Sequence, residues 1–224
     1  MKIPEESFVL HSWNQNAKRW NKLIEENSLE SRRLVTNQAI IDVLLSLGCK
    51  KILDIGCGEG WLVRSMKKEG VECWGIDGSA ELIKLAKEKG SGTYGCMSYG
   101  DIVSGSKVNG SPFEAAIFNF ALFDESTTAP LLQKVRKHLT TEGKMVIQSL
   151  HPDAMPNSKV SRWEADVWQN LPGNFKDSYH WYLRSIKDWK KLFEHCQLKL
   201  EKIHEPIHPH THVPLSVIFV LSPA

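Results

Sequence analysis

The sequence has no Cys-x-x-Cys pair; its five cysteines, Cys49, Cys57, Cys73, Cys96 and Cys196, stand singly. That spacing offers neither a disulfide framework nor a cysteine-based zinc site. It fits a reducing, cytoplasmic compartment. No apolar run reaches membrane-spanning length, and the first residues, among them Glu5, Glu6, His11, Asn14 and Asn16, form no signal-peptide core. No membrane partner is therefore expected. Charge of one sign is also missing: 28 Lys and Arg face 26 Asp and Glu, for a formal net charge of +2. This argues against the broad basic footprint that nucleic acid or an anionic membrane would require. Internal repeats and low-complexity tails are absent as well.

What is present is an ordinary globular composition, 42% hydrophobic and 24% charged over 224 residues. That length fits a single α/β domain over 1–224 better than two small ones. It also buries enough surface to need no disulfide or metal staple.

Residues 1–47 read as helix. Trp13, Ala17, Trp20, Leu23 and Ile24 recur at three- and four-residue spacing, as do Leu34, Ile40, Ile41, Leu44 and Leu45, with a break at Asn27–Ser28 and a stop at Gly48. Beyond Gly48 the pattern alternates. Short apolar strands are predicted at 51–55, 71–76, 93–97, 114–119 and 144–150, with helices at 60–68, 79–89 and 127–139 between them. Such alternation implies a mostly parallel sheet with helices on both faces and right-handed crossovers. The rhythm stops at residue 150. Residues 151–186 carry Pro152, Pro156, Pro172 and Gly173 together with Trp163, Trp168, Phe175, Tyr179, Trp181 and Tyr182. An insertion of that length is expected to be a substrate lid or, failing that, a hydrophobic cluster on the sheet edge. A helix at 187–195 and two strands at 198–204 and 215–221 complete the chain.

The most informative segment is Ile52-Leu53-Asp54-Ile55-Gly56-Cys57-Gly58-Glu59-Gly60. An apolar strand runs into a turn with glycine at alternate positions, and a helix follows. Gly56 and Gly58 permit backbone angles barred to other residues and let a ligand approach the main chain. The free N–H groups of the next helix favour an anionic group. A nicotinamide fingerprint would need glycine where Trp61 stands, and a phosphate-binding loop would need a Gly-Lys-Ser/Thr ending. One unit further on, Val71-Glu72-Cys73-Trp74-Gly75-Ile76 is a strand with Asp77 at its carboxyl end, where a carboxylate can accept from both hydroxyls of a ribose.

Asp-Ile-Gly-Cys-Gly-Glu-Gly followed by Gly-Ile-Asp resembles the class I S-adenosylmethionine-dependent methyltransferases, closest to the small-molecule branch that includes quinone-biosynthesis O-methyltransferases. The resemblance runs from about Asn37 to the C-terminus. It implies a Rossmann-like seven-stranded sheet whose last strand, 215–221, is antiparallel. It implies S-adenosyl-L-methionine as cofactor, S-adenosyl-L-homocysteine as product, and a small-molecule acceptor, which the aromatic insertion suggests is apolar or aromatic. By the same resemblance, Asp54 and Gly56 approach the methionine end, Asp77 the ribose, Asp101 and Ile102 the adenine edge, and Asn119 the amino group. Arg33, with Arg32 as rival because the register is open, contacts the cofactor carboxylate from a covering N-terminal helix.

Each position also has a plainer reading. Asp101 precedes Gly- and Ser-rich sequence that suggests a turn, and Arg33 could be a solvated charge. His151, directly after the fifth strand, is the candidate general base, with Tyr179 and His180 as alternatives. His204, His208, His210 and His212 match no zinc spacing, so no metal is expected. Two other functions stay open: a non-catalytic cofactor-binding relative and an RNA-modifying methyltransferase. O-, N- and C-methylation are not distinguished.

Overall fold

The computed structural model describes residues 3–155, 160–169 and 171–224. Pro156, singled out above in the aromatic insertion, lies outside the described residues. Helix α1 (Glu6–Glu25) ends at Asn27, whose φ of 51° turns the chain, and a π-helical turn (Arg32–Thr36) leads into α2 (Asn37–Ser46). Next come β1 (Lys51–Ile55), α3 (Trp61–Lys68), β2 (Glu72–Asp77), α4 (Ala80–Glu88), β3 (Thr93–Cys96), α5 (Tyr99–Ser104), β4 (Phe113–Asn119), α6 (Thr128–Val135) and β5 (Leu139–Leu150). The chain closes with β6 (Arg162–Glu164), β7 (Trp181–Leu183), α7 (Ile186–His195), β8 (Leu198–His204) and β9 (Ser216–Pro223).

Among the described residues, seven strands form one sheet in the order β3-β2-β1-β4-β5-β9-β8. Strand β9 runs antiparallel to both β5 and β8, while β3, β2, β1, β4 and β5 pair in parallel. The expected α/β Rossmann-like sheet is therefore present. Its faces follow from strand periodicity. Ile52, Ile117, Val146 and Ile218 point to one side, against Ile40 and Leu44 of α2 and Leu62, Val63 and Met66 of α3. Leu53, Phe118, Ile147 and Phe219 point to the other, against Leu131 and Leu132 of α6 and Trp189 and Phe193 of α7. With both faces covered, the strands read as nearly continuous apolar runs. Strand order reverses between β1 and β4, and a crevice opens beyond their carboxyl ends, where open α/β sheets bind ligands.

Some elements depart from the sequence expectation. The predicted helix at 127–139 divides into α6 and a 3-10 turn at Arg136–His138, and β5 begins at Leu139, opposite Phe113, before the register shifts. Between the predicted strands at 93–97 and 114–119, where no helix is expected, the chain forms α5. The aromatic insertion contributes a hairpin in which Trp163 pairs with Tyr182 and Glu164 with Trp181.

The inward face of α1 is polar where an amphipathic helix would be apolar, because it meets that insertion. Trp168 Nε1 donates to Ser12 Oγ (3.1 Å), and Trp13 Nε1 to Tyr179 Oη (2.8 Å). Asn16 donates to Lys176 O (2.7 Å) and accepts from Lys176 N (3.0 Å). On its other side, Asn14 Oδ1 accepts from Ser79 Oγ (2.7 Å), and Glu25 pairs with Lys89 (3.1 Å). The helix thus bridges the insertion and α4. Among the described residues no helix is long and apolar enough to cross a membrane, and no group of three His, Cys, Asp or Glu could hold a metal ion.

Candidate active site

A cavity of about 760 Å³ occupies the crevice, floored by the turns after β1, β2 and β4 and walled by α1, the π-helical turn and the aromatic insertion. Its volume is within the ordinary range for small-molecule sites.

The floor is the glycine loop. Gly56 N and Cys57 N donate to Ile76 O (2.8 and 3.0 Å), which folds the loop back on β2. Gly56 has φ of 77°, and a Cβ there would lie 2.6 Å from Ala121 Cβ and 2.8 Å from Tyr99 Oη. Asp77, at the end of β2, ties the loop down with both oxygens: Oδ2 accepts from Gly58 N (2.9 Å) and Oδ1 from Ser79 N (2.7 Å). Burial raises the Asp77 pKa, and those two N–H donors oppose the rise.

Arg32, on the π-helical turn, faces the floor. Its guanidinium lies 4.7 Å from the Trp61 ring centre and 5.8 Å from that of Trp20. Burial lowers its pKa to about 10 against the opposing pull of Glu59 and Asp54. Among the described residues no carboxylate forms an ion pair with it, and its Nη2 has no hydrogen-bond partner. Arg33, the expected contact, is exposed and does not line the cavity. One helical step turns a side chain by about 100°, and the π-turn sets Arg32, not Arg33, inward. Five residues per bond (Asn37 N donates to Arg32 O) also bring Thr36 to the cavity.

Four further buried oxygens in and under this crevice lack partners among the described residues: Thr36 Oγ1, Asn119 Oδ1, Glu59 Oε2 and Asp54 Oδ1. Native folds seldom leave such groups unsatisfied, and here Arg32, Thr36 and Asn119 all line one cavity. A zwitterionic amino-acid group would meet this set of donors and acceptors. Asp54 lies beneath the loop, off the lining, with its pKa pushed up to about 8 by burial and then by Asp77 and Glu59. A carboxyl raised in the fold above its unfolded value of about 4 contributes stability below that value and loses it as pH climbs toward 8. Ligand-free protein should therefore lose melting temperature between pH 5 and 8, and Asp54→Asn should flatten that slope; parallel slopes in calorimetry would remove the assignment.

Other expected residues fall elsewhere. Gly56, Gly58, Asp77 and Asn119 line the cavity; Asp101, Ile102 and His151 do not. Asp101 belongs to a capping box: Ser98 N donates to its Oδ2 (2.8 Å) while its own N–H donates to Ser98 Oγ (3.1 Å), which starts α5. Ile102 is 1% exposed, packed in the core. His151 is buried beside the mouth with both ring nitrogens engaged. Its Nδ1 accepts from Asp153 N (3.1 Å), so Nε2 carries the proton and donates to Glu205 Oε1 (2.9 Å). It cannot serve as a base without breaking its cap. His151→Ala should lower the melting temperature and leave turnover within about threefold; a loss of turnover beyond tenfold at unchanged stability would restore it to the chemistry.

The sequence reading missed Glu59, buried against Arg64 (3.3 Å), and Trp61 and Tyr99 in the walls. The upper wall is aromatic: Trp13 stands edge-on to Trp168 (4.7 Å), and Trp168 stacks on Phe175 (4.8 Å).

Comparison with known proteins gives a consistent picture. The family described as Methyltransferase domain matches residues 12–203. The ubiquinone biosynthesis O-methyltransferase of Chromobacterium violaceum is 32% identical over 87 residues, which is 39% of this chain and 34% of that protein. That of Klebsiella pneumoniae is 50% identical over 38 residues, 17% of this chain and 16% of its own. The matches thus span about a third or less of those curated relatives. Among solved structures, the 1,6-didemethyltoxoflavin-N1-methyltransferase of Burkholderia thailandensis has a TM-score of 0.71 at 12% identity, covering 100% of this chain and 92% of that one. The magnesium protoporphyrin IX methyltransferase of Synechocystis, with bound S-adenosylhomocysteine, gives 0.67 at 13%, covering 98% and 99%. At such identities the two structures share the fold with this chain.

Proposed function

This chain belongs to the methyltransferase-domain family, and from that premise we propose that it transfers a methyl group from S-adenosylmethionine to a small, apolar or aromatic acceptor. The observation that carries the reading is the half-buried Arg32, whose Nη2 has no hydrogen-bond partner among the described residues and which lines one cavity with Asp77 and Asn119. When bound, the cofactor supplies the electrophilic methyl group; the protein has to orient it and exclude water.

Each residue then has a defined task. Arg32 offers its free guanidinium N–H groups to a carboxylate. Asn119 Oδ1 and the Gly56 turn offer oxygens to an ammonium group, with the buried Asp54 carboxyl beneath them. Asp77, partly spent on holding Gly58 and Ser79, accepts from ribose hydroxyls. Trp13, Trp168 and Tyr179 present aromatic faces to the acceptor, and such faces also favour a nearby sulfonium cation. The whole chain works as one catalytic unit in this reading, with 1–47 covering the cofactor and 151–186 covering the acceptor. The interlocked bonds between α1 and residues 168–179 support that division.

The test is transfer of labelled methyl from S-adenosylmethionine to a panel of small aromatic acceptors and, in parallel, to bulk transfer RNA. Label on small acceptors is the expected result. Label on RNA alone, or none on either while the cofactor binds, would replace this reading with one of its rivals.

A further inference from the structure

The acceptor half of the cavity contains a histidine whose side chain makes no hydrogen bond among the described residues. His180 precedes β7 and lines the cavity with Phe123, Val167, Trp168 and Tyr179. Its backbone is fixed on both sides: Val167 N donates to Tyr179 O (3.1 Å), and Tyr182 N to Phe123 O (2.8 Å). Among the described residues neither ring nitrogen has a partner, whereas both nitrogens of His151 are engaged. Resting on the methyltransferase reading, we propose that His180 is the general base, and that the acceptor is a flat ring bearing a weakly acidic hydroxyl.

Of the other titratable groups around it, Glu5 is exposed and the following are at least partly engaged. Tyr179 Oη accepts from Trp13, and burial keeps its hydroxyl protonated. Tyr99 donates to Ala121 O (3.0 Å) and is held protonated in the same way. Asp124 Oδ1 accepts from Thr127 N (2.6 Å) and Ser126 Oγ (3.1 Å). Glu6 caps Gly100 N (3.0 Å). An imidazole is the side chain suited to move a proton near neutral pH.

Three chemical arguments give the acceptor class. Among the described residues Arg32 is the only cation lining the cavity, and it sits at the glycine loop, so a carboxylate acceptor would lack a counter-charge. A carboxylate is also already ionised at neutral pH and needs no base. A phenolic hydroxyl, ionising near pH 10, does need one, and the aromatic wall suits its ring. In the step, a lone pair of the acceptor oxygen bonds the methyl carbon as the carbon–sulfur bond breaks and its electron pair returns to sulfur. The hydroxyl proton passes to the free nitrogen of His180 and from the imidazolium to water.

The test uses the full chain saturated with S-adenosylhomocysteine, which cannot turn over, and 4-nitrocatechol, whose absorbance reports ionisation of its hydroxyl. Wild type is expected to raise the probe's ionisation constant about tenfold on binding, as a developing imidazolium would. His180→Gln should bind S-adenosylhomocysteine with unchanged affinity and leave the probe's ionisation as in buffer. With S-adenosylmethionine, the same variant should methylate the probe about 100-fold or more slowly. His180→Phe, which fills the space without a nitrogen, should match it and guards against a folding artefact. An undiminished shift in both variants overturns the role of His180. Failure of the probe to bind wild type that does bind S-adenosylhomocysteine overturns the hydroxyl class. Failure of wild type to bind S-adenosylhomocysteine overturns the methyltransferase reading itself.

Discussion

Replacing Arg32 with alanine is expected to weaken S-adenosylmethionine binding by about 100-fold, while Arg33→Ala stays within about twofold of wild type. Arg32 is half-buried against Trp20 and Trp61, and its Nη2 has no hydrogen-bond partner among the described residues. Desolvation on folding has already lowered its pKa to about 10, so the fold holds a cation that lacks a close partner. A carboxylate placed there gains a charge-assisted, bidentate contact. Removing one member of such a pair costs about 2–5 kcal/mol, and the factor given, about 2.7 kcal/mol, falls in the lower half of that range. Arg32→Lys should recover only part of the loss, because a point charge cannot reproduce the planar fork. Equal effects from Arg32→Ala and Arg33→Ala would mean that the π-helical turn does not set the register described here.

Asp77→Ala should have a comparable effect for a different reason. Its carboxylate holds Gly58 N and Ser79 N and still faces the cavity. Hydrogen bonds to a charged group contribute about 1.5–3 kcal/mol each. Losing two ribose hydroxyl contacts therefore predicts a fall of about 100-fold or more in cofactor affinity. Asp77→Asn keeps one oxygen acceptor and should lose only about tenfold. Calorimetry reads both, with a melting curve to separate binding from folding. An alanine variant that binds like wild type would leave Asp77 a loop clamp and nothing more.

The sheet was legible in the sequence because both of its faces are buried. Runs such as Ile52–Ile55 and Ala115–Phe118 can hardly be anything but internal strands, and alternating glycines after β1 mark the switch point. The turn at Gly56, with φ of 77°, and the place of Asp77 at a strand end were legible too, since both are local features. The expected positions that fall off the cavity lining share one cause: a nearer partner claims the polar group. Asp101 answers to Ser98 three residues earlier, and the Ser98-Tyr99-Gly100-Asp101 pattern could have shown it. His151 answers to Glu205, a pairing across 54 positions that spacing cannot reveal. The choice of Arg32 over Arg33 depends on a π-helical turn, and no residue in Arg32–Thr36 announces one. The polar inward face of α1 was hidden likewise, because Ser12 and Asn16 take partners in the distant aromatic insertion.

The central claim is that this cavity binds S-adenosylmethionine through its glycine loop, Asp77 and Arg32. Calorimetric titration of the wild-type chain with S-adenosylmethionine tests it most directly. Binding in the micromolar range, about −8 kcal/mol, that collapses in Arg32→Ala and survives in Arg33→Ala is the predicted result. A well-folded wild type that takes up no S-adenosylmethionine would contradict the account and leave the glycine loop as a strand-to-helix turn.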